Sequence, residues 1–362
     1  MVLCSWGCCF LSTFVVMNLK QSLTYFGLLV TITFVSCNGN STKTDAKTID
    51  TVAIKTPEEL KKLNLLIAAE PNNANLYHKR AQYYFDKKDF NASLADMNKV
   101  MSIDSSKAEY FLTISDIYFV NNLTSKSKAA LEKCIQLDDK NTVAMLKLAE
   151  LYLYVRKYKE SVQYINMALK LDKYNAKAYF MKGMNYKELK DTAKAISSMQ
   201  TAVEQDQQYY NAYIQLGILC AAQGNSLAVQ YYKNAIKLKP RSTEAWYDLG
   251  KCYQDMESWA NAISSYNTLL KIDVSYKYAH YNLGVVYFLG LKKYPEAIDH
   301  YTQAINLDPK YTEAYYARGI CFKEMHKMKD AIKDFVACTS INPDFEPAKE
   351  VLKEMNHGVE TH

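Results

Sequence analysis

The sequence predicts an all-α solenoid of about eight helix hairpins. Three observations favour this class: few chain-turning residues, a period close to 34 residues, and small or large side chains at fixed places in each period. Gly 11 and Pro 7 together make up about half of their usual share. This argues against a many-stranded β fold and against a glycine-looped nucleotide enzyme. With 49% hydrophobic and 23% charged residues, most of the chain is expected to be ordered.

The period becomes visible when the chain is aligned at eight positions that lie 33 to 35 residues apart. We count places from the first residue of each unit. The eighth place is always small, and so is one place on the second half of the unit. Small residues at both places allow two antiparallel helices to approach closely. The first places are Ala74, Ala108, Thr142, Ala176, Tyr210, Thr243, Lys277 and Thr312. The eighth places are Ala81, Ser115, Ala149, Gly183, Gly217, Gly250, Gly284 and Gly319. The small residues of the second half are Ser93, Ser127, Ser161, Ala195, Ala228, Ala262, Ala297 and Ala331.

Large residues recur between the small ones at spacings of 3, 4 and 7, which places them on one helical face. They occupy the fourth and eleventh places of the first helix and one place of the second helix. We expect them to fill the space between neighbouring hairpins. The residues at the second-helix place are Met97, Leu131, Ile165, Met199, Tyr232, Tyr266, Tyr301 and Phe335.

This pattern is similar to the tetratricopeptide repeat (TPR) family, and it covers 272 of the 362 residues. The resemblance implies a right-handed α-α superhelix of helix hairpins. Segments 57–69 and 347–355 are expected to be capping helices, because the ends of a solenoid must be shielded. Pro240, Pro309 and Pro343 close their units, whereas other residues replace that proline in earlier units. The predicted repeats are 74–107, 108–141, 142–175, 176–209, 210–242, 243–276, 277–311 and 312–345.

The N-terminal segment is expected to be a secretory signal, residues 1–36, with Met17 as the true start. A short charged region at Lys20 precedes an apolar run that ends at Ser36 and Cys37. A cysteine at this point resembles the lipobox of bacterial lipoproteins, in which the thiol is diacylated. The alternative is an uncleaved membrane anchor. Residues 37–55 are interpreted as a flexible tether and 357–362 as a mobile tail. The expected location is the cell envelope, lipid-anchored at the periplasmic face of the outer membrane.

The sequence does not indicate an enzyme, a cofactor or a metal site. It contains no P-loop, dinucleotide fingerprint, zinc-protease motif or nucleophile elbow. The six His lack metal-ligand spacing, and His280 occupies an aromatic core place. Cys134, Cys220, Cys252, Cys321 and Cys338 are interpreted as small buried thiols, with a disulfide framework as the alternative. The net charge of +6 is spread thinly, so nucleic-acid binding is not expected.

The resemblance to TPR proteins implies that the first helices line a concave groove for a peptide or protein partner. Apolar residues outside the packing stripe of a helix favour such binding. The predicted function is a non-catalytic scaffold or adaptor of the envelope; the alternative is a glycan-binding or other small-ligand protein. Burial within the superhelix, or a homodimer, would also account for the apolar residues. The predicted groove residues are Phe119, Leu153, Phe180, Met184, Ile214, Ile218, Tyr247, Lys251, Tyr281, Val285, Phe288, Tyr316 and Ile320.

Overall fold

The structure, a computed structural model, describes residues 58–357. The chain divides into two units, residues 1–55 and 56–362, and the second unit holds all of the described helices. The predicted signal, the lipidated Cys37 and the tether lie outside the described residues. The predicted tail begins at 357, but His357 is the last residue of the final helix.

Residues 58–357 form eighteen α-helices and no strand. Each first helix packs against the second helix of its own unit, and each second helix packs against the next unit. The predicted all-α array of helix hairpins with capping helices is thereby confirmed. The helices are α1 Glu58–Ala69, α2 Ala74–Asp86, α3 Phe90–Ile103, α4 Ala108–Val120, α5 Thr124–Leu137, α6 Thr142–Tyr154, α7 Tyr158–Leu171, α8 Ala176–Glu188, α9 Thr192–Gln205, α10 Tyr210–Ala221, α11 Leu227–Leu238, α12 Thr243–Asp255, α13 Trp259–Ile272, α14 Lys277–Val285, α15 Tyr294–Leu307, α16 Thr312–Glu324, α17 Met328–Ile341 and α18 Glu346–His357.

The small residues at the eighth places lie where the two helices of a hairpin cross. In repeats 5 to 8 an aromatic ring of the second helix covers a glycine of the first. A Cβ atom added to Gly284 would lie 2.5 Å from Cε1 of Tyr301, and one added to Gly250 would lie 2.6 Å from Cε1 of Tyr266. Real Cβ atoms do not approach so closely, so the rings require glycine at these crossings.

In repeats 1 to 3 a hydrogen bond joins the two helices at the same crossing. The buried serine of the second helix donates to the carbonyl oxygen of the eighth residue. The partners are Ser93 Oγ and Ala81 O at 2.7 Å, Ser127 Oγ and Ser115 O at 2.9 Å, and Ser161 Oγ and Ala149 O at 2.7 Å.

The turn inside each hairpin contains one residue in the left-handed region, with φ between 54° and 66°. Only in repeat 5 is this residue glycine, Gly224. A positive φ is strained for residues with a Cβ atom. The others are Lys88, Asn122, Arg156, Lys190, Glu257, Lys292 and His326.

Repeat 7 carries one extra residue, and the structure accommodates it at the end of α14. The helix continues as a π-helical turn over Val286–Gly290. Single inserted residues in helices commonly produce such turns. The turn places Gly290 beneath the ring of Trp259, where a Cβ atom would not fit.

Candidate partner-binding surface

Neighbouring first helices lie side by side and touch, as α2 and α4 do, or α10 and α12. We use the name inner face for the side chains at places five, six, nine and twelve of the first helices. Side chains at place six bond back to the inner face of the preceding repeat. The four bonds are Thr113 Oγ1 with His78 Nε2 at 2.8 Å, Lys147 Nζ with Asp116 Oδ1 at 2.7 Å, Lys187 Nζ with Gln215 Oε1 at 2.7 Å, and Asn282 Nδ2 with Tyr247 Oη at 3.2 Å.

The thirteen predicted groove residues differ in how much surface they offer. Phe119 is exposed, and its ring contacts that of the exposed Tyr154 at 6.2 Å. Ile214 and Val285 are buried, because they pack into the cores of their own repeats and offer little surface to a partner. The other ten are half-buried: Leu153, Phe180, Met184, Ile218, Tyr247, Lys251, Tyr281, Phe288, Tyr316 and Ile320.

Four of the rings at place five are paired with an aromatic residue that directly precedes the next helix. In each pair the second ring occupies the junction between two units and contacts the first at a distance typical of aromatic pairs. The rings are therefore held in place by the fold while one side remains accessible. The pairs are Phe180 with Tyr209 at 5.0 Å, Tyr247 with Tyr276 at 5.6 Å, Tyr281 with Tyr311 at 5.2 Å, and Tyr316 with Phe345 at 5.4 Å.

Where place five is aliphatic, the junction residue is polar and caps the next first helix. Asn141 accepts from the backbone N–H of Ala144, and Asn175 accepts from that of Ala178. Ser242 caps α12 in the same way after Ile214 at place five. Neither the rings nor the caps were recognised from the sequence as pairs. The sequence does contain a signal for them: where place five is aromatic the junction residue is aromatic, and where place five is aliphatic the junction residue is polar.

Burial dominates the electrostatics of the paired tyrosines. It raises the pKa of Tyr247, Tyr276, Tyr281 and Tyr311 above the usual value of 10.0. These phenols therefore stay protonated at neutral pH and act as neutral hydrogen-bonding groups. Lys277 Nζ lies 5.0 Å from the ring centre of Tyr278 and 5.2 Å from that of Tyr311.

Two charged groups of the inner face are half-buried, and their pKa values are shifted as a result. Burial raises the pKa of Asp248 to about 7, and the nearby Glu244 raises it further, whereas Lys251 acts in the opposite direction. Burial lowers the pKa of Lys187, whose ammonium group donates to the neutral amide of Gln215. The repeat pattern of the sequence does not single out Asp248.

The structure brings together two histidines that the sequence does not associate. His280 Nδ1 lies 3.5 Å from His300 Nδ1, and the ring of Tyr287 stacks on His300 at 5.3 Å. Burial lowers the pKa of both imidazoles. Residues 58–357 contain no group of three or more side chains suited to hold a metal ion.

The five described cysteines are free and buried. Burial raises the pKa of Cys134 and Cys252 to about 11, and that of Cys321 and Cys338 to about 12. Protonated, inaccessible thiols are poor nucleophiles and metal ligands. Their interpretation as small core residues agrees with this arrangement.

Among the helices from 58 to 357, none is long and apolar enough to span a membrane.

Comparisons with known protein families identify tetratricopeptide repeats in this chain. Models of the tetratricopeptide repeat match residues 291–325 and 312–345. The model of the ChAPs (Chs5p-Arf1p-binding proteins) matches residues 86–306, which is more than half of the chain. No curated protein sequence matches.

Several solved structures are similar to this chain at low sequence identity. The C-terminal part of a TPR repeat-containing protein from Cytophaga hutchinsonii is 18% identical, with 66% of this chain and 97% of that chain covered and a TM-score of 0.59. A tetratricopeptide repeat protein from Parabacteroides merdae is 17% identical, with coverages of 68% and 97% and a TM-score of 0.49. YrrB, described as a TPR protein with an unusual peptide-binding site, is 23% identical, with coverages of 52% and 97% and a TM-score of 0.47.

The helix hairpins, their period and the family matches agree. The chain contains tetratricopeptide repeats, and through residues 86–306 it belongs to the family that the ChAPs model describes.

Proposed function

We propose that this protein is a non-catalytic adaptor that binds a segment of a partner protein on the inner face of repeats 4 to 8. The observation that carries the proposal is the partial exposure of the aromatic and aliphatic side chains on this face. Phe180, Met184, Ile218, Tyr247 and Tyr281 are half-buried and held by neighbouring residues, and yet part of each remains accessible. Rigid, partly exposed aromatic groups are typical anchors of protein interfaces.

The family supports protein partners. The ChAPs are described as Chs5p-Arf1p-binding proteins, so the family that matches most of this chain is named for binding other proteins. The chemistry of the described residues fits such a role, because the thiols are inert and the histidines form a pair rather than a larger cluster.

Site-specific crosslinking tests the adaptor function. A photo-reactive amino acid replaces Tyr247 or Tyr281, and Tyr174 serves as the control because it is an exposed tyrosine in the turn between repeats 3 and 4. We expect discrete protein adducts from the two inner positions and not from Tyr174, identified by mass spectrometry. Equal labelling from all three positions, together with saturable glycan binding in isothermal titration, would instead support the glycan-binding alternative.

We further propose that the protein is attached to the envelope through a lipid on Cys37. The support is the apolar run followed by a small residue and cysteine in the sequence. Metabolic labelling with an alkyne fatty acid should mark the wild type, and Cys37→Ser should remove the label. Retention of the label in Cys37→Ser would contradict this attachment.

A further inference from the structure

Asp248 departs from the rule that polar side chains at place six of the first helix have a partner in the neighbouring first helix. Thr113, Lys147, Gln215 and Asn282 each bond to a group of the preceding repeat. Asp248 occupies the same place in repeat 6, but no described residue gives its carboxylate a hydrogen bond or an ion pair.

The composition of the preceding repeat explains why the Asp248 carboxylate lacks a hydrogen-bond partner there. Repeat 5 presents Ile214, Ile218 and Ala221 at places five, nine and twelve, so none of these three places offers a polar side chain. Asp248 is itself half-buried. A charged group that loses water without gaining a partner is costly.

The surroundings within repeat 6 are acidic. Glu244 lies one turn before Asp248, and Asp255 lies two turns after it on the same helix. Lys251 acts on the Asp248 carboxylate as a cation, but the two form no ion pair among the described contacts. The helix therefore shows a net negative charge beside an apolar surface.

Aromatic rings lie near the Asp248 carboxylate. Tyr247 directly precedes Asp248 in α12. The ring of Tyr276, at the start of the next unit, lies 5.6 Å from that of Tyr247 and 6.0 Å from that of Tyr278. Faces of tyrosine rings attract cations, and they do so more strongly when water is excluded.

From this geometry we propose that Asp248 is the recognition site for a basic side chain, Arg or Lys, of the bound partner segment. The apolar part of that segment would lie on Ile218 and neighbouring residues of repeat 5. This inference rests on the adaptor function proposed above and adds the chemistry of the partner. The ligand's cation supplies the counter-charge that repeat 5 does not.

The test uses residues 56–362, which form a compact unit with its own hydrophobic core. The probes are amide-capped nonapeptides with varied apolar flanks and a central Arg, citrulline or Glu. Citrulline keeps the shape of arginine without the charge. The best Arg sequences are then titrated, with all three central residues, against wild type, Asp248→Asn, Asp248→Lys and the control Asp139→Asn.

We expect wild type to bind Arg peptides at least tenfold more tightly than citrulline peptides, because the pairing of a desolvated charge is strong. Asp248→Asn should lose this preference and Asp248→Lys should favour Glu peptides. Asp139 is exposed in the turn before α6, away from the inner face of repeats 5 and 6, so Asp139→Asn should behave as wild type. Circular dichroism of each variant verifies its helical fold.

Equal binding of Arg and citrulline peptides by wild type would overturn the inference, as would a preference that survives in Asp248→Asn. In either case the adaptor function would stand if the peptides bind and inner-face crosslinks form. If none of the peptides binds, the inference is also overturned, and the crosslinking experiment then tests the adaptor function separately.

Discussion

Repeats 1 to 3 and repeats 5 to 8 build the same helix hairpin with different chemistry. In the first group a buried serine bonds to a carbonyl oxygen, and Met97, Leu131 and Ile165 fill the crossing. In the second group glycine allows a ring such as Tyr266 or Tyr301 to lie on the backbone of the first helix. One geometry can thus be stabilised by a hydrogen bond with aliphatic packing, or by aromatic burial. Repeat 4 is intermediate, since it has glycine at the crossing but a methionine above it.

The same division reaches the inner face. In repeats 1 to 3 several of its polar groups are paired with protein groups, for example by the ion pairs of Lys147 with Asp116 and of Lys177 with Glu150. From repeat 4 onward rings are common and Asp248 is unpartnered. The region that relies on aromatic packing is therefore also the region with surface and charge available to a ligand.

The largest effect is expected from overpacking an aromatic crossing. Gly250→Leu should destabilise the fold by about 3 kcal/mol, because the Cβ atom alone would meet the ring of Tyr266 at 2.6 Å. Ala262→Leu, at a fully buried place of the same crossing, should also cost ~1–3 kcal/mol. Urea denaturation followed by circular dichroism measures both, with the exposed Ala222→Leu as the control. Unchanged midpoints would show that the hairpin crossing is misassigned.

Removing the unpartnered charge should stabilise the protein. The pKa of Asp248 rises from 3.8 to about 7 on folding, so its ionisation opposes folding increasingly as the pH rises through this range. At pH 8 we expect Asp248→Asn to gain about 2 kcal/mol, less than the full shift implies because the amide is also desolvated. At pH 4 the gain should vanish.

Urea denaturation at both pH values compares Asp248→Asn with the wild type. Glu244 and Lys251 act on this carboxylate from its own helix. Tyr210 and Tyr232 of the preceding repeat, Tyr266 of α13 and Tyr276 before α14 are close enough to sense its charge. A gain of equal size at pH 4 would show that packing, not charge, is responsible.

The serine bonds of the first region should contribute less. Ser127→Ala removes the bond to the carbonyl oxygen of Ser115 and should cost about 1 kcal/mol. The exposed Ser125→Ala is the matched control. If both variants have the same denaturation midpoint as the wild type, then aliphatic packing alone stabilises this crossing.

The smallest effects concern the turns. Gly224→Ala should cost about 0.5–1 kcal/mol because its φ is +66°, although nothing lies within 4 Å of an added Cβ atom. Arg156→Gly, at the same place in repeat 3 with φ of 60°, should gain a similar amount. Thermal unfolding of the two variants should therefore shift in opposite directions. Shifts of the same sign would contradict backbone strain as the cause.

Much of the fold could be predicted from the sequence because it depends on local periodicity. Small residues at the crossings, such as Gly284 and Ala297, and large ones such as Tyr301 identify the helix faces without knowledge of long-range contacts. The burial of Ile214 and Val285 could not be predicted, because side chains at their places are buried in some repeats and accessible in others. Their burial depends on how each repeat packs on its neighbour.

The sequence by itself determined the period, the hairpins and their packing faces, since these follow from spacings within a few helical turns. Only the tertiary structure decided which side chains meet across units. The contact of His280 with His300, the pairing of Tyr281 with Tyr311, and the missing partner of Asp248 all depend on the position of one helix against another. Such contacts join residues 20 to 35 positions apart, and a period in the sequence does not state which of them are satisfied.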